Sequence, residues 1–333
     1  MKKLVYKLPV LFLIVVLLWG MVNQTCFGAS QIDQLIERYS QRIEANPNDA
    51  EAYYERGALL AKIKNTEQAI SDFTVALAIR ENYVKALYKR GIAYAELNKF
   101  DLALNDMEKV ILLEPNNSGS YIGRASLFQK QKKYSSAIAD YSKAIELEPN
   151  DWYYLFRAKA YEEAESYDGA IEDYSTLIQR SPNSHMYYLM RGTVYEKRLS
   201  MYQFAVKDYQ KASELDPTDI VSYECLGNLY TKLKEYEKAV VCFDKMIELK
   251  PNWSDGYKQK GRLYYELKKY DLAITNYSRA IEISPQQSVL YFDRGNAYLD
   301  KGLRANAIPD FKKALELAPK NKKFLKKLIE VGK

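Results

Sequence analysis

The chain of 333 residues holds a single histidine, His185, and three cysteines, Cys26, Cys225 and Cys242. One histidine leaves no Cys–His or Ser–His dyad away from that position and no histidine metal cluster. The cysteines are too scattered to hold a metal. Glycine is limited to 14 residues, spread along the chain instead of gathered into a phosphate-cradling loop. Acid pairs such as Glu162 and Glu163 fit solvated helix faces. No catalytic residues, no metal and no cofactor are expected, and the chain is read as a non-enzyme.

Excess charge of one sign is also missing where it would matter. The formal net charge is +6. Lys2, Lys3 and Lys7 account for three of it, and the tail from Lys320, with six lysines against Glu330, for five. The stretch between is slightly acidic, so nothing there demands a nucleic acid as partner.

What the chain has is a period. Alanine recurs at Ala69, Ala103, Ala137, Ala170, Ala205, Ala239, Ala273 and Ala307, in steps of 33 to 35 residues. A small residue precedes each one: Gly57, Gly91, Ala125, Ala158, Gly192, Gly227, Gly261 and Gly295. A proline follows all but the first, at Pro115, Pro149, Pro182, Pro217, Pro251, Pro285 and Pro319. Tyr257 to Pro285 reads YKQKGRLYYELKKYDLAITNYSRAIEISP. Tyr257 and Tyr264 are seven residues apart on one helix face, and Ala273, Tyr277 and Ala280 are spaced i, i+4, i+7 on another. Each copy is therefore two amphipathic helices closed by a proline. The repeat absorbs most of the 30 tyrosines as core and turn residues, so aromatic abundance is no argument for base stacking.

These residues resemble the tetratricopeptide repeat, a 34-residue helix–turn–helix pattern of aromatic, glycine, tyrosine, alanine and proline positions. The resemblance implies an all-α fold: an α-solenoid of eight helix-turn-helix repeats over 50–321, with a half repeat at 30–49 and a capping helix at 322–333. The repeats run about 50–83, 84–117, 118–150, 151–184, 185–219, 220–253, 254–287 and 288–321. One residue is missing between Pro149 and Ala158 and one is added between Tyr195 and Ala205, and both changes are expected in turns. Pro309 removes a backbone donor inside the last second helix and is expected to delay or kink it.

Copies within one chain allow comparison. Arg56, Arg90, Arg124, Arg157, Arg191 and Arg294 precede the small residue, and the same copies carry Asp72, Asp106, Asp140, Asp173, Asp208 and Asp310. The sixth copy has Leu226 with Cys242, and the seventh Lys260 with Asn276. Joint loss predicts Arg–Asp pairs linking the two helices of one repeat, not neighbouring repeats. Cys225 and Cys242 lie in the two helices of one repeat, and either a disulfide or two buried thiols fits them.

Residues 1–29 read differently. Lys2, Lys3 and Lys7 precede Leu8 to Val22, a stretch without charge, and small residues follow near Gly28. That pattern predicts a secretory signal peptide, and placement in the periplasm or on the cell surface of a bacterium. Membrane attachment through an uncleaved signal or a lipidated Cys26 is the minority alternative.

First helices of such repeats line a concave groove, and the resemblance implies contact residues there. The partner-binding candidates are Tyr54, Tyr88, Ile92, Trp152, Leu155, Met186, Leu189 and Val221, with an apolar patch expected in the fourth and fifth repeats. The competing reading of Trp152 is that the missing residue beside it shifts the register and buries the indole. The function expected is a non-catalytic protein–protein interaction scaffold in the bacterial cell envelope, gripping a peptide or helix of a protein partner. The alternatives are a self-assembling structural protein and an accessory subunit of an envelope enzyme or secretion machine.

Overall fold

A computed structural model describes residues 31–197 and 201–332. The predicted signal peptide and Cys26 lie outside the described residues. Among them every regular element is a helix. No helix there is long and apolar enough to cross a membrane.

The chain divides into two compact units, Met1–Ala164 and Glu165–Lys333. The first holds α1 over 31–45, α2 (Ala50–Lys62), α3 (Thr66–Ile79), α4 (Val84–Glu96) and α5 (Phe100–Leu113). It continues with α6 (Ser118–Lys130), α7 (Tyr134–Leu147) and α8 (Asp151–Glu163). The second holds α9 (Tyr167–Arg180), α10 (His185–Lys197), α11 (Tyr202–Leu215), α12 (Ile220–Lys232) and α13 (Tyr236–Leu249). It ends with α14 (Ser254–Glu266), α15 (Tyr270–Ile283), α16 (Ser288–Asp300), α17 (Arg304–Leu317) and α18 (Lys322–Gly332). The division between the units falls between the two helices of the fourth repeat.

Lengths are uniform because the start and stop signals are. The first helix of a hairpin has 13 residues and the second 14. Several first helices are capped by a short polar side chain. Asp49 accepts from the Ala52 N–H at 2.9 Å, and Asp219 accepts from Val221 and Ser222. Such caps satisfy donors that have no partner inside the helix.

Six of the described hairpin turns close as Schellman motifs. In the first copy the Asn65 N–H bonds the Leu60 carbonyl at 2.9 Å and the Lys64 N–H bonds Ala61 at 3.0 Å. This closure needs one residue in the left-handed region. Lys64, Asn98, Lys132, Glu165, Lys234, Lys268 and Gly302 all supply it, each five residues before a repeat alanine. Only Gly302 does so without a Cβ penalty.

The core follows the period. All eight repeat alanines are fully buried. A large side chain four residues on (Phe73, Tyr209, Phe243, Tyr277 or Phe311) is buried against the small residue of the first helix. A Cβ on Gly227 would stand 2.6 Å from the Phe243 ring, and one on Gly261 would stand 2.8 Å from Tyr277. Glycine there is a matter of close approach. The last hairpin is covered by α18, whose Phe324 stacks on Phe292 at 4.6 Å.

The one-residue deletion falls in the turn between α7 and α8, which has three residues where the α3–α4 turn has four. Pro309 corrects an expectation. Helix α17 starts three residues before its alanine, in the same register as α15, so the proline does not delay it. It is the sixth residue of the helix, and its missing N–H leaves only the Ala305 carbonyl without its helical donor.

Candidate functional site

The first-helix faces carry the predicted contact residues, and packing sorts them. Tyr54 is half-buried and its ring lies 5.2 Å from that of Tyr83 and 6.0 Å from that of Phe73. Tyr88 is half-buried against the cluster of Ala95, Ala103, Met107 and Leu127. Both act mainly as wall and core. Ile92 is 37% exposed and lines a cavity of about 320 Å³ with Ala58 and Lys89.

Trp152 is 63% exposed, which overturns the burial reading of this residue. The deletion is absorbed before α8 begins, and Asn150 caps that helix by accepting from the Trp152 N–H at 2.9 Å. One turn further along α8, Phe156 is also exposed. Its ring lies 6.5 Å from the indole and 6.1 Å from Tyr141. Leu155 is half-buried beside it. Sequence reasoning missed Phe156 because it lies outside the contact columns, although its i+4 spacing from Trp152 was the available signal.

The second unit has its own apolar exposures. Met186 on α10 is 41% exposed and Val221 on α12 is 49% exposed. Leu189 is half-buried and packs on the cluster around Leu226 and Phe243. It belongs to the core more than to a surface.

The arginines of the internal comparison make bidentate bonds. Arg56 Nε and Nη2 donate to the two oxygens of Asp72, both at 2.8 Å. Arg90 with Asp106, Arg124 with Asp140, Arg191 with Asp208 and Arg294 with Asp310 repeat this at 2.7–2.8 Å. These carboxylates hold the guanidinium pKa values above their ordinary level. Arg157 belongs to the first unit and Asp173 to the second.

These five Arg–Asp pairs each join the two helices of one repeat, as the sequence predicts, and most of the same arginines reach the preceding repeat as well. Nη1 of Arg56, Arg90, Arg191 and Arg294 also donates to a hydroxyl of the preceding second helix, at Ser40, Thr74, Ser175 and Ser278. Arg157 does the same to Ser142. The guanidinium fork has donors enough for both helices. A column of Ser and Thr sixteen residues before most of these arginines was the unread signal. Tyrosine rings flank the guanidinium as well: Tyr188 and Tyr195 lie 5.9 and 5.7 Å from Arg191.

His185 opens α10 with Nε2 at 3.9 Å from Asp216. Cys225 is half-buried and Cys242 buried, and both are free thiols. Burial pushes each up to about 11, so both are protonated at neutral pH. Among the described residues no group of three or more His, Cys, Asp and Glu side chains is placed to hold a metal.

Helical hairpins copied in register, with the small-residue seam buried between the two helices of a hairpin, define a helical repeat protein. Models of the tetratricopeptide repeat match residues 39–71, 84–117, 119–151, 220–252 and 289–321, and a TPR-repeat model matches 261–302. Together they cover more than half of the chain, which belongs to the tetratricopeptide repeat family. A crystal structure of MamA is 30% identical, over 49% of this chain and 95% of that one, with a TM-score of 0.45. A tetratricopeptide repeat protein from Parabacteroides merdae is 22% identical over 74% of this chain and 98% of its own, with a TM-score of 0.51. The C-terminal part of a TPR repeat-containing protein from Cytophaga hutchinsonii is 24% identical, over 82% of this chain and 98% of its own, at 0.50. The last two share the fold. Among curated proteins none matches the chain.

Proposed function

We propose that this chain is a non-catalytic protein-binding scaffold of the bacterial cell envelope, which grips an apolar segment of a partner on its first-helix faces. Membership of the tetratricopeptide repeat family supports the scaffold role. The observation that carries the binding site is the exposure of Trp152 next to Phe156. Two exposed aromatic rings on one helix face lose water-contacting surface only when something covers them, and aromatics are favoured anchors in interfaces. Met186 and Val221 give the second unit an anchor of the same character. Rigid helical hairpins hold these anchors in place before binding, which lowers the ordering cost. The envelope location rests on the basic start and uncharged run of residues 2–22.

The test is a pull-down from envelope extracts, comparing the parent with Trp152→Ala and with Met186→Ala, after matching helicity and melting. One protein retained by the parent and lost with Trp152→Ala supports the site. Identical captures by parent and variants remove it. Cell fractionation with an intact-mass measurement tests export: a chain of full-length mass in the cytoplasm would end that part of the reading.

A further inference from the structure

In most repeats the gap between consecutive second helices is plugged by an arginine from the first helix lying between them. Arg191 shows the pattern. It bonds Asp208 of its own repeat and Ser175 of the preceding one, and lies within 6 Å of two tyrosine rings. Arg294 does the same with Asp310, Ser278, Tyr291 and Tyr298. In the sixth repeat all three polar members are replaced at once. Gln210 stands for the serine, Leu226 for the arginine and Cys242 for the aspartate, while the flanking rings persist as Tyr223 and Tyr230.

Leucine is shorter than arginine and cannot reach either neighbour. Where the plug is lost, a cavity of about 620 Å³ opens between α11, α12 and α13. Leu226 and Cys242, both nearly fully buried, form its floor, and Val241 at its lip is 68% exposed. We propose that this cavity is a binding site for a small, neutral, largely aromatic molecule that carries a hydrogen-bond acceptor.

Size, charge and hydrogen bonding each narrow the ligand. The volume is that of a site for a small organic molecule, roughly 300–1,000 Å³, and a single side chain would leave most of it empty. Charges at the rim are already matched: Lys245 pairs with Glu248 at 2.8 Å, Lys238 with Glu235 at 2.5 Å, and Asp244 with Lys260. The Lys238 ammonium also stands 5.2 Å from the Tyr230 ring centre, where it opposes a cationic ligand. Gln210 Nε2 donates to the Tyr230 hydroxyl at 2.9 Å, which leaves the hydroxyl proton for an acceptor on the ligand. Apolar floor and aromatic walls supply the rest of the binding energy.

The probe is Prodan, a neutral naphthyl ketone whose emission shifts to the blue in apolar surroundings. Titrated into the full chain, it is expected to bind one saturable site. Rebuilding the plug with Gln210→Ser, Leu226→Arg and Cys242→Asp together should weaken that binding at least tenfold, while Trp152→Ala leaves it unchanged. Should the triple variant fail to fold, Tyr223→Ala, which removes one half-buried wall, must weaken binding by a similar factor. Absence of saturable binding, or equal affinity in the parent and both cavity variants, overturns the proposal. So does an outcome in which Prodan does not bind but the rebuilt plug abolishes capture of a protein, because the cavity would then be a socket for a partner's side chain.

Discussion

Lys260 on α14 reaches back to Asp244 on α13, the second helix of the preceding repeat, and has no carboxylate ahead of it because Asn276 stands there. Asn276 bonds the Leu272 carbonyl of its own helix instead. The arginines at this position bond sixteen or seventeen residues forward and, in most copies, about sixteen backward. Where it carries a cation, the column ties a first helix to the second helix on one or both sides of it. The single ammonium of Lys260 makes one of the two ties.

The two arrangements should differ in worth. Arg90 and Asp106 are almost buried, with side-chain exposures of 16% and 1%. Arg90→Ala strands a buried carboxylate and is expected to cost about 3 kcal/mol. Lys260→Ala, whose partner Asp244 is half exposed, is expected to cost less than about 1 kcal/mol. Because repeats couple mainly to neighbours, the loss in Arg90→Ala should appear as faster amide exchange in α4 and α5. Equal destabilisation by both changes would refute the distinction.

Close approach at the glycine seam makes a second prediction. The Cβ added by Gly227→Ala would meet the buried Phe243 ring at 2.6 Å. The helix gains propensity, but overpacking should win, for a net loss of about 1–2 kcal/mol. Adding Phe243→Leu to that variant should recover part of it. Chemical denaturation of the single and double variants measures both effects.

Left-handed turn residues point the other way. Lys132 has φ 60° in a turn that needs the left-handed region. Lys132→Gly removes a steric cost of roughly 1–2 kcal/mol at the expense of chain entropy, for a net gain of about 0.5–1 kcal/mol. At Gly302, φ 86°, the substitution Gly302→Ala should destabilise. Opposite signs in thermal melts confirm the argument, and the same sign for both defeats it.

Asp293 gives a pH signature. Burial holds its carboxyl above the ordinary value, against the pull of Arg262 at 3.1 Å and of the more distant Lys323 and Lys258. With the folded value above the unfolded one, the native state binds the extra proton, so stability falls as pH rises through that window. Asp293→Asn removes the ionisation, and its melting temperature should exceed the parent's at neutral pH. The two curves should meet below about pH 4. A variant less stable than the parent at neutral pH would show that the Arg262 pair outweighs burial.

The thiols make the last prediction. Both are raised by burial to about 11 from an ordinary 9.0. Stability tied to their neutral forms is complete below the unfolded value and is lost as pH rises toward the folded one. At pH 8 neither Cys225 nor Cys242 should react with iodoacetamide in the folded chain, and both should react after denaturation. Peptide mapping by mass spectrometry reads each site, and rapid labelling of native protein would contradict their burial.

The sequence alone determined the hairpins, the alanine and glycine seam and the pairing of most arginines with aspartates. Each of these rests on a local rule, the i, i+4 helical step, copied at a fixed period, so one repeat could be checked against the next. Tertiary structure decided the rest. It gave the arginines their hydroxyl partners on the preceding helix, left Trp152 and Phe156 exposed, and turned Leu189 into core. It also opened the cavity beside Leu226, where three substitutions far apart in the chain meet in one seam. Exposure and empty volume depend on which neighbours cover a residue, and a periodic pattern that names each residue's own helix face does not say what lies across from it.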